Sequence, residues 1–448
     1  MPGSRHPDME LRNREEVRHA TAALASGSAE ALDRLVWTGV FGEGAARDAA
    51  RASILDQARS KGLYPASIHG LYVARGRGEV PLRFTVPAIN IRGLAYDTAR
   101  ALFRARKSRD AGAVICEIAR SEITYTDQRP AEYTFVVLAA GLREGWSGPV
   151  FLQGDHFQVN AKKYASNAAA ELDALRDLTA EAVRAGFYNI DVDTSTLVDL
   201  AREGHEAQQE LNGRLCAELT AFIRAREPAG VTVSVGGEIG EVGSKNSTPE
   251  ELRAFMKVYG AALGRTAPGE AGLSKISIQT GTSHGGVPLP DGTIAQVKID
   301  FDALAELSVI ARKEYGMAGA VQHGASTLPA ELFDHPEFPA ELRRDIYEQL
   351  RTAEAGDRKP SDTDEQFFYK TRKKALGARK RELWSLPAGT RAAIGAALER
   401  KFEFLLEKLE VTGTRALAEQ HAPFVPGSFP SAGAALTAAA EDVSGLSD

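Results

Sequence analysis

Cysteine is almost absent: Cys116 and Cys216 are the only two in 448 residues, so neither a disulfide framework nor a Cys-based zinc module is expected. Any zinc would have to be held by histidine and carboxylate. Long apolar runs are missing as well. No stretch approaches the roughly 18 consecutive apolar residues of a bilayer-spanning helix, and the opening Met1-Pro2-Gly3-Ser4-Arg5-His6-Pro7-Asp8 is polar, so no membrane association is expected and the cytoplasm is the expected compartment. Nor is there a basic excess. With 54 Lys and Arg against 60 Asp and Glu, the net charge of -6 excludes the electrostatic footprint of a nucleic-acid binder. What remains, 43% hydrophobic and 25% charged residues, is the composition of an ordinary soluble globular protein. Its length suits one barrel domain of about 250 residues with added helices better than several small modules.

Residues 1–80 read as a helical, alanine-rich extension without a catalytic signature. From Phe84 onward a strand-then-helix rhythm begins, the pattern of a parallel sheet. Seven strand segments follow: Phe84–Ile91, Ala113–Ile118, a run ending at His156, Phe187–Asp193, Val231–Val235, Lys275–Ile278 and Ala320–Val321. This rhythm predicts an α/β fold of the TIM (β/α)8 barrel type over residues 81–330. The eighth strand is atypical or missing, because after Ser326 the chain passes into helical, charged sequence with no β-branched run before Trp384. Residues 331–425 read as a C-terminal helical region. Residues 426–448 are small and polar enough for a flexible tail. The basic run around Lys370 to Arg381 reads as a solvated helix face, with a phosphorylated ligand or an acidic partner surface as the alternative.

Three of the nine histidines occupy equivalent settings. His156 closes an apolar run and follows Asp155, His284 precedes Gly285, and His323 precedes Gly324, each just after a strand-like segment. Metal ligation needs neutral imidazoles on rigid, converging supports, which the C-terminal ends of parallel barrel strands provide. His69, with no other candidate ligand near it, reads as a loop or interface residue. The fifth strand ends in Gly236-Gly237-Glu238-Ile239-Gly240-Glu241, two carboxylates among glycines that allow close backbone approach, and the fourth ends with Asp191 and Asp193. Barrel-mouth ion pairs with Lys162, Lys163 or Lys245 are the structural alternative for these acids.

The ordered set Asp155-His156, Gly237-Glu238-Ile239-Gly240, His284-Gly285 and His323-Gly324-Ala325-Ser326 resembles the class II, zinc-dependent fructose- and tagatose-bisphosphate aldolase superfamily over roughly residues 84–326. The resemblance implies His156, His284 and His323 as ligands of one catalytic zinc ion per subunit, with a monovalent cation as an additional candidate. It implies Glu238 as an alternative ligand or close neighbour of the metal and Asp155 as the proton donor to the aldehyde oxygen. Gly285, Gly324 and Ser326 match groups that hold the ketose phosphate, and Asp191 falls where the family has an acid at the end of its fourth strand. The family takes its proton-abstracting glutamate from an acidic loop; here Lys245 stands where an acid is expected, and Glu241 is the nearest substitute. Lys245 and Asn246 read either as contacts for an anionic substrate or as part of a short cap for the helix starting near Pro249.

The expected activity is reversible aldol cleavage of a ketose phosphate such as fructose- or tagatose-1,6-bisphosphate. Zinc held by neutral imidazoles would supply the charge that stabilises an enediolate. Two other readings stand beside it. Gly154-Asp155-His156 with Asn160, and Ala185-Gly186-Phe187 before an Ile-Asp segment, also resemble the non-catalytic partner subunits of tagatose-bisphosphate aldolases. Metal-assisted hydrolysis could use the same histidines, although no His-x-His strand pair supports it. A homo-oligomer, dimer or tetramer, is the base expectation for a soluble enzyme.

Overall fold

Short β-branched runs alternate with amphipathic helices along most of the chain, and in the computed structural model they form one parallel sheet. The structure describes residues 9–240, 245–280, 299–322 and 332–430. The strands are β1 (Leu63–Ala66), β2 (Ala88–Asn90), β3 (Ile115–Ala119), β4 (Gly148–Gln158), β5 (Asn189–Asp193), β6 (Ser234–Glu238), β7 (Lys275–Ile278) and β8 (Ala320–Gln322). β2 to β8 lie side by side in chain order, every pairing parallel, with helices on the connections. This is the curled sheet of a TIM-like barrel. Among the described residues β8 does not pair with β2, so closure into a full barrel is not seen.

The seven predicted strands are all present, shifted by a few residues at their ends. β2 starts four residues later than expected, at Ala88, and β6 is moved as a whole, to Ser234–Glu238 rather than Val231–Val235, because the ladder runs on through Gly236 and Gly237 to the glutamate. The other correction concerns β1, which lies in sequence read as helical. Its four residues pair with the first part of β4, from Gly148 to Phe151, while β5 takes the part from Gln153 onward. The Asn189 side chain joins the two. Its Nδ2 donates to the carbonyls of Ala66 (3.1 Å) and Leu152 (2.8 Å), and its Oδ1 accepts from the Ile68 amide (2.9 Å). Pro65 in so short a strand hides it from pattern reading, since proline ordinarily marks a loop or an edge.

Helices at both ends of the chain dock on the barrel. Arg14–Ala25, whose cap Asn13 accepts from the amides of Glu15 and Glu16, packs with Ala29–Phe41 and Gly44–Ser60. The latter two lie against Pro130–Arg143, whose Glu132 accepts hydrogen bonds from Arg51 (3.4 Å) and, across the chain, Lys380 (2.6 Å). Ala388–Lys408 packs along Ala95–Ser108, with Arg391 on Asp97 (2.9 Å) and Arg104 on Glu399 (2.6 Å). The helix Pro249–Thr266 starts as expected of its sequence. Thr248 accepts from the Glu251 amide, and Glu251 returns the bond to the Thr248 amide, two orphan donors satisfied reciprocally. No helix among the described residues is long and apolar enough to cross a membrane.

Candidate metal centre

β4 carries Asp155 and His156 in succession, and in a regular strand neighbouring side chains point to opposite faces. Here the β4–β5 ladder shifts register between Gly154 and Phe157, and His156 adopts φ +39°. The bulge turns the histidine so that both side chains join one buried cluster. Gly154 is required for this. A Cβ there would lie 2.5 Å from the Phe157 ring, which folds back over it. A left-handed non-glycine residue costs of order 1–3 kcal/mol and is held only where the surroundings over-determine it.

The His156 Nδ1 lies 3.3 Å from Asp193 Oδ2 at the end of β5 and 3.4 Å from Glu238 Oε2 at the end of β6, while its Nε2 is 3.8 Å from Asp155 Oδ1. All four residues are buried. One donor atom each from His156, Asp193 and Glu238 lies within 4.8 Å of the others. Donors about 2.1 Å from one ion at tetrahedral angles stand about 3.4 Å apart, and the two spacings from the imidazole, 3.3 and 3.4 Å, match that value. A mixed imidazole and carboxylate donor set suits a divalent transition metal such as zinc.

Burial opposes a charge on His156, yet Asp155, Glu238 and Asp193 raise its pKa well above the ordinary value. Glu238 is pushed up to about 8 by burial and by the neighbouring Asp193. Asp193 is held at about 2: burial works against its charge, but the hydrogen bond and charge of His156 and the bonds from Ser195 and Gln158 outweigh it. Charge in the cluster is thus shared between a raised imidazole and Glu238 on one side and an ionised Asp193 on the other.

The donors are fixed from behind. Asp193 Oδ1 accepts from the Ser195 amide (3.0 Å) and hydroxyl (2.7 Å), and Oδ2 accepts from Gln158 Nε2 (2.6 Å). Asn212, fully buried at the start of the helix Glu210–Arg224, bridges the two strand ends. Its Nδ2 donates to the Glu238 carbonyl (2.8 Å), and its Oδ1 accepts from Thr194 Oγ1 (2.6 Å). Gln209 donates to the Ile239 carbonyl (2.8 Å). On the other side, Asn90 Nδ2 reaches both Asp155 Oδ2 (3.2 Å) and Glu122 Oε2 (3.0 Å), and Glu122 is ion-paired with Arg92. Arg120 anchors the loop after β4, donating to the Gln158 carbonyl (2.6 Å) and pairing with buried Glu171 (2.6 Å).

Of the residues singled out in the sequence, His156, Glu238 and Asp155 therefore meet. Asp191 does not join them; it lies two residues earlier on β5 and pairs with Lys275 (2.7 Å) rather than with Lys162, Lys163 or Lys245. Lys245 pairs with Glu251 (2.5 Å), and Asn246 donates to Asp300 Oδ2 (2.8 Å). Glu241, His284, Gly285, His323, Gly324 and Ser326 lie outside the described residues. Asp193 was visible beside Asp191 but not distinguishable from it, because residues two apart share a face of a strand. Gln158, Asn212 and Lys275 carried no sequence signal.

No protein-family model matches the chain, and no curated protein matches it. Among solved structures it is similar to a protein described as a fructose-1,6-biphosphate aldolase from Coccidioides immitis, at 19% identity and TM-score 0.43, covering 77% of this chain and 96% of that one. It is also similar to a probable tagatose 6 phosphate kinase from Sinorhizobium meliloti, at 17% identity and TM-score 0.48, covering 78% and 96%. A third is the fructuronate-tagaturonate epimerase UxaE from Cohnella laeviribosi, at 12% identity and TM-score 0.47, covering 85% and 89%. Likeness of this degree does not bear on activity.

Proposed function

We propose that the protein is a metal-dependent enzyme of carbohydrate metabolism, a lyase that cleaves a ketose phosphate by class II aldol chemistry. The observation that carries this reading is the convergence of His156, Asp193 and Glu238 from three neighbouring strand ends, with Asp155 beside them. In this proposal His156, Asp193 and Glu238 hold a divalent ion, zinc by preference, with His284 and His323 completing the set. Such an ion, when bound, supplies Lewis-acid polarisation of a substrate carbonyl.

Asp155 is the proposed proton donor to a substrate oxygen. Asn90 fixes its Oδ2, and its Oδ1 faces the imidazole. A carboxylate so held moves a proton without rearranging its support. Glu241 is the proposed proton acceptor from substrate carbon, and Gly285, Gly324, Ser326 and Asn246 are the proposed contacts to the phosphorylated sugar. A homo-oligomer acting in the cytoplasm completes the proposal.

Purified protein reconstituted with zinc is tested against a panel of ketose mono- and bisphosphates, with release of the aldehyde product as readout. Cleavage by the wild type and its loss in Asp155→Asn, with metal content unchanged, is the expected result. Full cleavage after removal of the metal would refute the mechanism. A partner subunit without activity would bind less than one equivalent of zinc and cleave nothing in the panel.

A further inference from the structure

One layer below the centre lies a lysine that the proposed chemistry does not use. Lys275 opens β7, its side chain 4% exposed, and its Nζ donates to Asp191 Oδ2 (2.7 Å) and Gln153 Oε1 (2.8 Å). Gln153 in turn donates to Glu117 Oε2 (2.6 Å). The register explains how the pair forms. Asp191, Gly236 and Lys275 stand opposite one another on β5, β6 and β7, so lysine and aspartate are separated by a whole strand and meet only because the residue between them is glycine. A Cβ at Gly236 would collide with the Asp191 carboxylate and lie 2.9 Å from Lys275 Cε. Asp193 and Glu238 stand two residues further along the same strands, a rise of about 7 Å.

We propose that Lys275 is a positioning residue that sets how strongly the centre takes up a divalent cation. It rests on the reading of His156, Asp193 and Glu238 as a metal centre. The acids of β3, β4, β5 and β6 crowd this end of the barrel: Glu117, Asp155, Asp191, Asp193 and Glu238 are all buried. Lys275 is the ammonium bonded within that group, and it neutralises Asp191. A full charge about 7 Å from a divalent ion in a buried site changes binding by at least ten-fold. The strength of metal binding therefore follows the net charge of the Lys275–Asp191 pair, not the mere presence of either side chain.

Zinc affinity of the full chain is measured by competition with a chromogenic chelator for the wild type, Lys275→Met, Asp191→Asn and the double variant, each checked for folding by circular dichroism. Lys275→Met leaves an extra negative charge, so zinc should bind about ten-fold or more tighter; Asp191→Asn leaves a positive one and should weaken binding by about as much. The double variant, neutral like the wild type, should return to within about three-fold of it. A structural role alone would weaken binding in every variant, and that result overturns the proposal, as does equal affinity throughout. If Lys275→Met does not fold, Asp191→Asn is compared with the double variant: recovery of affinity in the double variant carries the charge reading, and equal weakening in both overturns it. Zinc binding by the wild type with no ordering among the variants removes this inference and leaves the metal centre standing. No zinc binding by any of the four removes both.

Discussion

Glu238→Gln should make the metal-free protein more stable while weakening its hold on metal. The carboxylate is buried against Asp193, which with burial raises it to about 8 from an ordinary value of 4.5. A carboxyl whose folded value is raised opposes folding above its unfolded value, because the unfolded chain gives up the proton that the native state retains. At pH 7 the penalty spans the interval from 4.5 to 7 and is worth about 3 kcal/mol, at about 1.4 kcal/mol per unit. Glutamine carries no such penalty and keeps nearly the same shape. Denaturant unfolding of chelator-treated protein at pH 7 should show the variant more stable by about 3 kcal/mol, and the difference should vanish below pH 4.5. Zinc affinity of the same variant should fall at least about ten-fold, since even residues one step removed from a metal contribute that much. Equal or lower stability at pH 7 would refute the electrostatic reading of the cluster. Unchanged zinc affinity would remove Glu238 from the donor set.

Three further outcomes test the supports. Asn212→Ala removes the amide that donates to the Glu238 carbonyl and to Gln209 Oε1, while the Thr194 hydroxyl keeps the Asn212 backbone carbonyl, so it should cost about 1–3 kcal/mol by denaturant unfolding and lower zinc affinity with it. Arg120→Met strands Glu171 in the interior, 2% exposed at its side chain, and should cost about 3–5 kcal/mol, with much of the loss recovered in Arg120→Met/Glu171→Leu. Gly154→Ala forces a methyl group against the Phe157 ring and should destabilise by about 1–3 kcal/mol while reducing zinc stoichiometry, because the bulge that aims His156 cannot form unchanged.

Much of this architecture was legible in the order of residues. The strand-helix rhythm, Asp155-His156 at a strand end and Glu238 among glycines depend on local periodicity and local turn chemistry, which neighbouring residues determine. The same holds for the capping box at Thr248. By contrast, β1 was hidden because four residues containing a proline have no pattern of their own and become a strand only where β4 offers an edge. Asp193 rather than Asp191 joined His156 because a two-residue period puts both acids on one face, leaving the choice to depth along the barrel.

By itself, then, the sequence determined which elements form and which short segments bring polar side chains to strand ends. Tertiary structure alone decided that a bulge would turn His156 beside Asp155, that Asn212 would tie β5 to β6, and that Lys275 would reach Asp191 across a glycine. The Asn212 and Lys275 contacts join residues from about 20 to more than 80 positions apart. Their partners are chosen by packing and by the need to satisfy buried charge, terms that exist only once the sheet has brought the strands together.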